Sequence, residues 1–196
     1  MTYLNSVSKI LFLIVICIGI FSCQQKASSP TPELKNRWFK AVKDGDFERL
    51  SQMHDENKLS WNFRNEHDHS TLMSACHFGH LELVRKLIEL NVEVNSLDQK
   101  NFNALAYAVY GTGDNDSKAK IIDLLLEKEG DPFVETDFNS RALFAMIENN
   151  LIEPMYKIKW GIHCESYPEK NFSIVKFAQK HRQYYLAAFL QHQGCP

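Results

Sequence analysis

The chain lacks the short motifs that mark most enzymes and nucleic-acid-binding proteins. Its 196 residues contain no glycine-rich phosphate loop, no nucleophile elbow and no metalloprotease helix, so we predict a non-catalytic protein without a cofactor. Basic and acidic residues nearly balance, at 22 and 24, and no basic run is interleaved with aromatic residues, which argues against nucleic acid as a partner. Long apolar runs are also scarce. The one from Ile10 to Phe21 is too short for a bilayer span, which needs about 20 residues.

The N-terminus has the pattern of an export signal. Lys9 precedes the apolar run, and residues 1–22 are predicted to be a signal peptide that is removed. The run ends in Ile20-Phe21-Ser22-Cys23, which resembles the lipobox of bacterial lipoproteins. That resemblance implies that Cys23 is lipidated and becomes the new N-terminus; an ordinary cleaved signal with an incidental cysteine is the alternative.

The segment after Cys23 is predicted to be a flexible tether. Residues 23–35 are rich in Ser, Pro, Thr and Lys, a composition that disfavours a packed core. Gln24-Gln25 directly after the cysteine, in place of an acidic residue, resembles the sorting signal for the outer membrane. The resemblance therefore implies a protein anchored by its lipid alone to the periplasmic face of that membrane.

The stretch from Ser70 to Asn95 predicts two short helices separated by Gly79. It resembles an ankyrin repeat in three places: the opening Ser70-Thr71-Leu72-Met73 followed by Ala75, the turn Gly79-His80-Leu81-Glu82, and the end Val94-Asn95. Alanines equivalent to Ala75 recur at spacings of 34, 33, 37 and 33 residues, against a family period of about 33. They are Ala41, Ala75, Ala108, Ala145 and Ala178.

This resemblance implies an all-α fold, an ankyrin-repeat solenoid of about five helix-turn-helix repeats with short hairpin fingers between them. The repeat domain is predicted over residues 36–196, with boundaries at about 36–69, 70–102, 103–139, 140–172 and 173–196. First helices are expected to stop at Gly45, Gly79, Thr112, Asn149 and Arg182. Second helices are expected over residues 47–53, 81–90, 120–128, 152–160 and 184–191. The inserted segment Gly111–Ser117 is interpreted as a flexible loop, because it lacks the ligand order of a calcium loop.

The resemblance also indicates which side chains face a partner. In ankyrin proteins the inner face consists of the fingers and of the exposed side of each first helix, one residue before and two after the repeated alanine. These positions are Lys40, Lys43, Ser74, His77, Tyr107, Tyr110, Phe144, Ile147, Phe177 and Lys180, and the fingers add Trp61, Arg64 and Phe133. An exposed aromatic cluster is typical of a protein-binding hot spot. The predicted protein-binding residues are therefore Tyr107, Tyr110, Phe144, Ile147, His77, Trp61, Arg64 and Phe133.

Two further groups of residues leave alternatives open. His67 and His69 could bind a metal on an extended finger, or could belong to a solvated turn. Cys164 and Cys195 follow the second helices of neighbouring repeats, so a disulfide between them is an alternative to two separate thiols. Cys76 is expected to be a small buried side chain and His80 a structural one.

The expected function is binding to one protein partner by a protein that is monomeric when free. Small bacterial ankyrin lipoproteins resemble immunity proteins that neutralise toxic phospholipases or other effectors in the periplasm, and this interpretation ranks first. A scaffold that supports a resident envelope enzyme, for example in oxidative-stress defence, and a metal- or redox-active protein remain as alternatives.

Overall fold

The computed structural model describes residues 30–134, 142–160 and 173–195. Residues Glu33–Pro196 form one compact unit, and its described part is α-helical with a single isolated antiparallel bridge between Arg64 and Ser70. The helices are α1 Pro32–Asp44, α2 Phe47–Asn57, α3 Thr71–Phe78, α4 Leu81–Glu89, α5 Ala104–Tyr110, α6 Asn115–Glu127, α7 Ala142–Glu148, the 3₁₀ helix Glu153–Lys157, α8 Ile174–Lys180 and α9 Tyr184–His192. The predicted all-α solenoid of about five helix pairs is confirmed.

The five repeated alanines lie where the first helices approach one another. None of their side chains is more than 2 % exposed, and α3 packs on α5, α5 on α7, and α7 on α8. A larger side chain at these positions would hold the neighbouring helices apart, because protein interiors are close-packed. The 33-residue period in the sequence therefore corresponds to the distance along the chain from one packed first helix to the next.

Side chains at the N-termini of the helices satisfy backbone amides that have no partner within the helix. Ser70, Asn103 and Ser173 each accept a hydrogen bond from the backbone amide three residues later, at the starts of α3, α5 and α8. The first helices end in a left-handed residue at Gly45, Gly79 and Arg182, as the sequence predicts. In repeat four the left-handed residue is Asn150, one position after the predicted stop.

The inserted segment differs from the prediction of a flexible loop. Its last residues belong to α6, which begins at Asn115, five residues before the predicted start. Asp114 caps this helix by accepting a hydrogen bond from the backbone amide of Ser117 at 3.0 Å, and Asp116 pairs with Lys120 at 2.6 Å. The acidic residues that resemble calcium ligands therefore cap and stabilise a helix.

The start of the domain and the fourth repeat also differ from prediction. α1 begins at Pro32, within the range assigned to the tether, and proline is well tolerated in the first turn of a helix. The second helix expected over residues 152–160 is a 3₁₀ helix of five residues, Glu153–Lys157. In the ranges that the structure describes, no helix is both long and apolar enough to cross a membrane. The predicted signal peptide and Cys23 lie outside those ranges.

Polar side chains join successive repeats at their ends. Asn62 Oδ1 accepts a hydrogen bond from the backbone amide of Glu93, and Asn95 Oδ1 accepts one from that of Asp131, both at 2.8 Å. Asn95 also donates to the carbonyl of Glu129 at 2.8 Å. These bonds hold the register of one repeat against the next and position the fingers described below.

Candidate functional site

Two fingers share one internal hydrogen-bond pattern. Asn65 Oδ1 accepts from the backbone amides of His67 and His69 at 2.9 and 3.0 Å. Asp98, 33 residues later, uses Oδ1 in the same way for the amides of Lys100 and Phe102, both at 2.8 Å. The first finger is thus closed by the amide side chain of Asn65, and the second by the carboxylate of Asp98. Of these two closing side chains, only Asp98 is acidic.

The second carboxylate oxygen of Asp98 connects the finger to α5 and to the preceding finger. Tyr107 donates its hydroxyl proton to Asp98 Oδ2 at 2.7 Å, and His69 Nε2 lies 2.8 Å from the Tyr107 oxygen and 3.3 Å from Asp98 Oδ2. Because the phenol proton points to Asp98, Nε2 of a neutral His69 carries the hydrogen and donates it. Asp98 is 7 % exposed, whereas the His69 side chain is 30 % exposed, so the cluster forms a partly buried hydrogen-bonded wall.

The surroundings of this wall shift the pKa values of its members. Burial lowers the pKa of His69 below its usual value, and this effect outweighs the attraction of Asp98, which acts in the opposite direction. Burial and the hydrogen bond to Asp98 raise the pKa of Tyr107. Near neutral pH the wall therefore contains a neutral imidazole and a neutral phenol beside Asp98.

A cavity of about 310 Å³ lies next to this wall. It is formed by the first helices of the first three repeats together with the finger that closes on Asn65. Its lining residues are Phe39, Lys43, Asn65, His69, Ser74, His77, Phe78 and Tyr107. Aromatic rings and polar groups thus face the same space, which is the usual character of a binding pocket.

His77 is one of the polar residues that line the cavity. Its ring meets Phe78 and Tyr107 edge-on, with centroids 5.0 and 6.1 Å away. Burial and the positive charge of Lys118 lower its pKa. Its backbone carbonyl accepts a hydrogen bond from the amide of Thr112 at 2.7 Å, which holds the inserted segment against the end of α3.

The structure places only part of the predicted binding set at this cavity. His77 and Tyr107 line it, and Tyr110, one turn further along α5, is 41 % exposed. Phe144 is half-buried against Phe177, with ring centroids 5.3 Å apart. Ile147 is only 1 % exposed, so the expectation that it faces a partner is wrong: an aliphatic side chain gains free energy by burial and has no polar atom to keep in water.

The predicted finger residues are engaged within the fold. Trp61 stacks on Phe47 and on His54, with centroids 5.5 and 4.8 Å away. Arg64 donates to the carbonyls of Asp68 and Leu97 at 3.0 and 2.8 Å. Phe133 meets the ring of Trp160 edge-on at 5.9 Å. All three are half-buried, so their contacts mainly serve packing.

Sequence reasoning did not select Phe39, Asn65 or Phe78, and it considered His69 only for metal binding or a solvated turn. One signal was available for Asn65, since it precedes Asp98 by 33 residues and both are side chains that commonly close turns. Nothing in the local sequence indicates that His69 reaches Tyr107, 38 residues away. Contacts of this kind become visible only when the repeats are stacked.

The metal and cysteine alternatives can be compared with the described residues. Among these, no group of three or more His, Cys, Asp or Glu side chains is arranged to hold a metal ion. Cys76 is buried, and burial raises the pKa of its thiol, which makes it unreactive. Cys195 is disulfide-bonded, whereas its proposed partner Cys164 lies outside the described residues.

Stacked helix pairs with a pocketed inner face define a helical-repeat binding module. The ankyrin-repeat family model, in three copies, matches residues 38–140, which is more than half of the chain, and the chain therefore belongs to the ankyrin-repeat family. Ankyrin repeats are protein–protein interaction modules and are generally not catalytic. No curated protein matches the chain in a sequence comparison.

Proposed function

We propose that this chain is a lipid-anchored bacterial envelope protein that binds a toxic effector, such as a secreted phospholipase, and neutralises it. The observation that supports binding most directly is the inner face itself, where exposed Tyr110 lies on the same helix as Tyr107 of the cavity wall. Aromatic side chains beside a pocket are the usual anchors of protein interfaces. The proposed mechanism of neutralisation is occlusion: the first helices cover the surface of the partner to which they bind.

Two parts of the proposal rest on resemblance. The export signal and the lipobox at Cys23 support the envelope location, and the small size together with the ankyrin repeats supports the role of an immunity protein. Fold alone does not determine function, so these two parts need their own tests.

The anchor is tested with the full chain, tagged at its C-terminus and produced in Gram-negative cells. We expect radiolabelled palmitate on the wild type and recovery of the protein in the outer-membrane fraction. The Cys23→Ser variant should take up no label and leave that fraction. Palmitate label on both the wild type and the Cys23→Ser variant, or on neither protein, would contradict lipidation at Cys23.

Binding is tested by capture from envelope extract with the detergent-solubilised full chain. Tyr110→Ala removes the exposed aromatic of the inner face, and Tyr185→Ala is a matched control because Tyr185 is 90 % exposed on α9, a second helix. We expect Tyr110→Ala to weaken capture of one protein at least about tenfold, the effect of a hot-spot residue, and Tyr185→Ala to leave it unchanged. Equal capture by both variants would show that the inner face is not the site.

The activity of the captured protein then decides between the two binding roles. Neutralisation predicts that its activity falls as the ankyrin protein is added in increasing amounts, and that cells producing the ankyrin protein survive the effector in the periplasm. Unchanged or increased activity would contradict neutralisation and favour the scaffold role.

A further inference from the structure

We infer that the cavity on the inner face binds an acidic side chain, aspartate or glutamate, which the partner protein presents next to an apolar residue. The inference rests on the proposed function, because it specifies the chemistry of the partner at the same face.

The first argument is charge. Lys43 lines the cavity with its ammonium group 6.0 Å from the centre of the Phe78 ring, and the positive charge of Lys118 acts on His77. Neither lysine has an ion-pair partner among the described residues. Other exposed lysines, such as Lys40 and Lys58, also have no ion pair among the described residues, so what distinguishes Lys43 is its position at the cavity. Its positive charge is available to a ligand in the cavity.

The second argument is that the Asp98 carboxylate, which is bonded to the lining residue Tyr107, already accepts hydrogen bonds with both of its oxygens. Asp98 is 7 % exposed and is not a lining residue, and its two oxygens accept from two backbone amides and from the Tyr107 hydroxyl. These bonds occupy both oxygens of Asp98, and Oδ2 lies behind two lining residues, Tyr107 and His69. No lining residue of the cavity is acidic, so an incoming carboxylate meets cationic and neutral donors only.

The third argument is shape and polarity. Phe39, Phe78 and Tyr107 supply aromatic walls, and Asn65, Ser74 and His77 supply neutral polar groups. A volume of about 310 Å³ is at the lower end of the range for ligand pockets, about 300–1,000 Å³. It suits a single carboxylate side chain with part of an apolar neighbour and is too small for a whole helix.

A second cavity of about 350 Å³ provides the contrast. It is lined by Leu126, Glu129, Gly130, Asp131, Pro132, Phe133, Lys157, Ile158 and Lys159. Here two carboxylates accompany two lysines, and Lys157 is held by Asp123 at 2.7 Å. The charges compensate one another, so this cavity has no preference for an anion.

The experiment uses the full chain in detergent with ¹³C-labelled histidine, and the resonances of His69 and His77 are assigned from the His→Gln variants. Three probes are added at up to about 20 mM, a range that detects millimolar binding. They are the blocked dipeptide acetyl-Phe-Glu-amide, its neutral counterpart acetyl-Phe-Gln-amide, and inorganic phosphate. The first combines an apolar group with a side-chain carboxylate, the second lacks the charge, and the third lacks the apolar group.

We expect acetyl-Phe-Glu-amide to shift the His77 and His69 resonances in a saturable manner and to bind up to about fivefold more tightly than acetyl-Phe-Gln-amide, which is the most that one exposed ion pair contributes. Lys43→Gln should remove this preference. Lys58→Gln, the same change of charge at an exposed residue directly after α2, should keep it. Circular dichroism establishes that both variants are folded.

Three results would overturn the inference: no shift with acetyl-Phe-Glu-amide, equal binding of the two dipeptides, or equal loss in both lysine variants. Phosphate that binds as tightly as acetyl-Phe-Glu-amide would show a small-anion site and overturn it as well. The proposed function can fail separately. If Tyr110→Ala abolishes capture but the dipeptide does not bind, the proposed function stands and the inference about the cavity is wrong. If the dipeptide binds but Tyr110→Ala leaves capture unchanged, the inference about the cavity stands and the proposed binding face is wrong.

Discussion

The second helix of repeat two and the corresponding segment of repeat four bury apolar side chains by different means. In repeat two, α4 runs for nine residues and buries Leu83, Val84, Leu87 and Ile88 along one side. In repeat four a 3₁₀ helix of five residues buries Pro154 and Met155, and the chain then leaves the helical conformation at Ile158. Trp160, 1 % exposed, lies just beyond this turn.

Pro154 does not account for the difference, because it lies at the start of the 3₁₀ helix, where a missing backbone amide proton leaves no intrahelical hydrogen bond unmade. Trp160 donates its ring N–H to the carbonyl of Met155 at 3.2 Å and thereby folds the chain back over the short helix. One large aromatic side chain thus replaces the second half of a helix, and repeat four depends on it more than repeat two depends on any single residue.

Replacing that aromatic should have the largest effect. We expect Trp160→Ala to destabilise the protein by about 3–5 kcal/mol, the usual cost of removing a fully buried tryptophan. Because repeats stabilise only their neighbours, the loss should be local. Hydrogen exchange should show protection lost in α7, the 3₁₀ helix, α8 and α9 and retained in α3 to α6. Tyr185→Ala, at a 90 % exposed position, is the control and should change little. Uniform loss of protection along the chain would contradict this division.

A smaller effect is expected at the contact between repeats two and three. Gly79 has φ +73°, and a Cβ at this residue would lie 2.7 Å from the Cα of Gly113. Gly79→Ala should therefore cost about 1–3 kcal/mol through backbone strain and displacement of the inserted segment. Gly194→Ala is matched to it, since Gly194 has φ +87° but no atom within 4 Å of the added Cβ. If denaturant unfolding shows that both variants lose the same free energy of unfolding, the close approach of Gly79 to Gly113 does not contribute to stability.

The fold was predictable because its main signal repeats along the chain. Alanines at nearly constant spacing, with Ser70 before a helix and Gly79 after it, combine packing, capping and helix-stop signals that all indicate the same architecture. The exception is the second helix of repeat four, which is a short 3₁₀ helix. The apolar pattern over residues 152–160 predicts correctly that the segment is buried. The same pattern does not distinguish an α-helix from a short 3₁₀ helix over which the chain folds back at Trp160.

The candidate site was predictable only where it follows the repeat register. His77 and Tyr107 lie in the cavity wall because their positions relative to the repeated alanines are set by the helix period. The same rule fails for Ile147, whose chemistry favours burial, although its equivalent Tyr110 stays exposed. The link among His69, Asp98 and Tyr107 joins two fingers to a helix, and no local pattern in the sequence encodes such a contact.

The smallest expected effect is a dependence of stability on pH. It distinguishes the first three repeats, where His69 and His77 lie, from the last two. The pKa values of His69 and His77 lie below the 6.5 of the unfolded chain, so below pH 6.5 the unfolded state binds more protons than the folded one. Stability should therefore be complete above pH 6.5 and fall as the pH decreases from there. The charged groups that act on these rings are Asp98, His67, Lys100 and Lys118, together with His77 acting on His69, and only Asp98 favours protonation. Denaturant unfolding at pH 7.5 and 5.5 should show a smaller loss for the His69→Gln/His77→Gln double variant than for the wild type. His192→Gln, at an exposed position of α9, should lose as much as the wild type. If all three proteins lose equally, the two imidazoles do not govern the acid sensitivity of the domain.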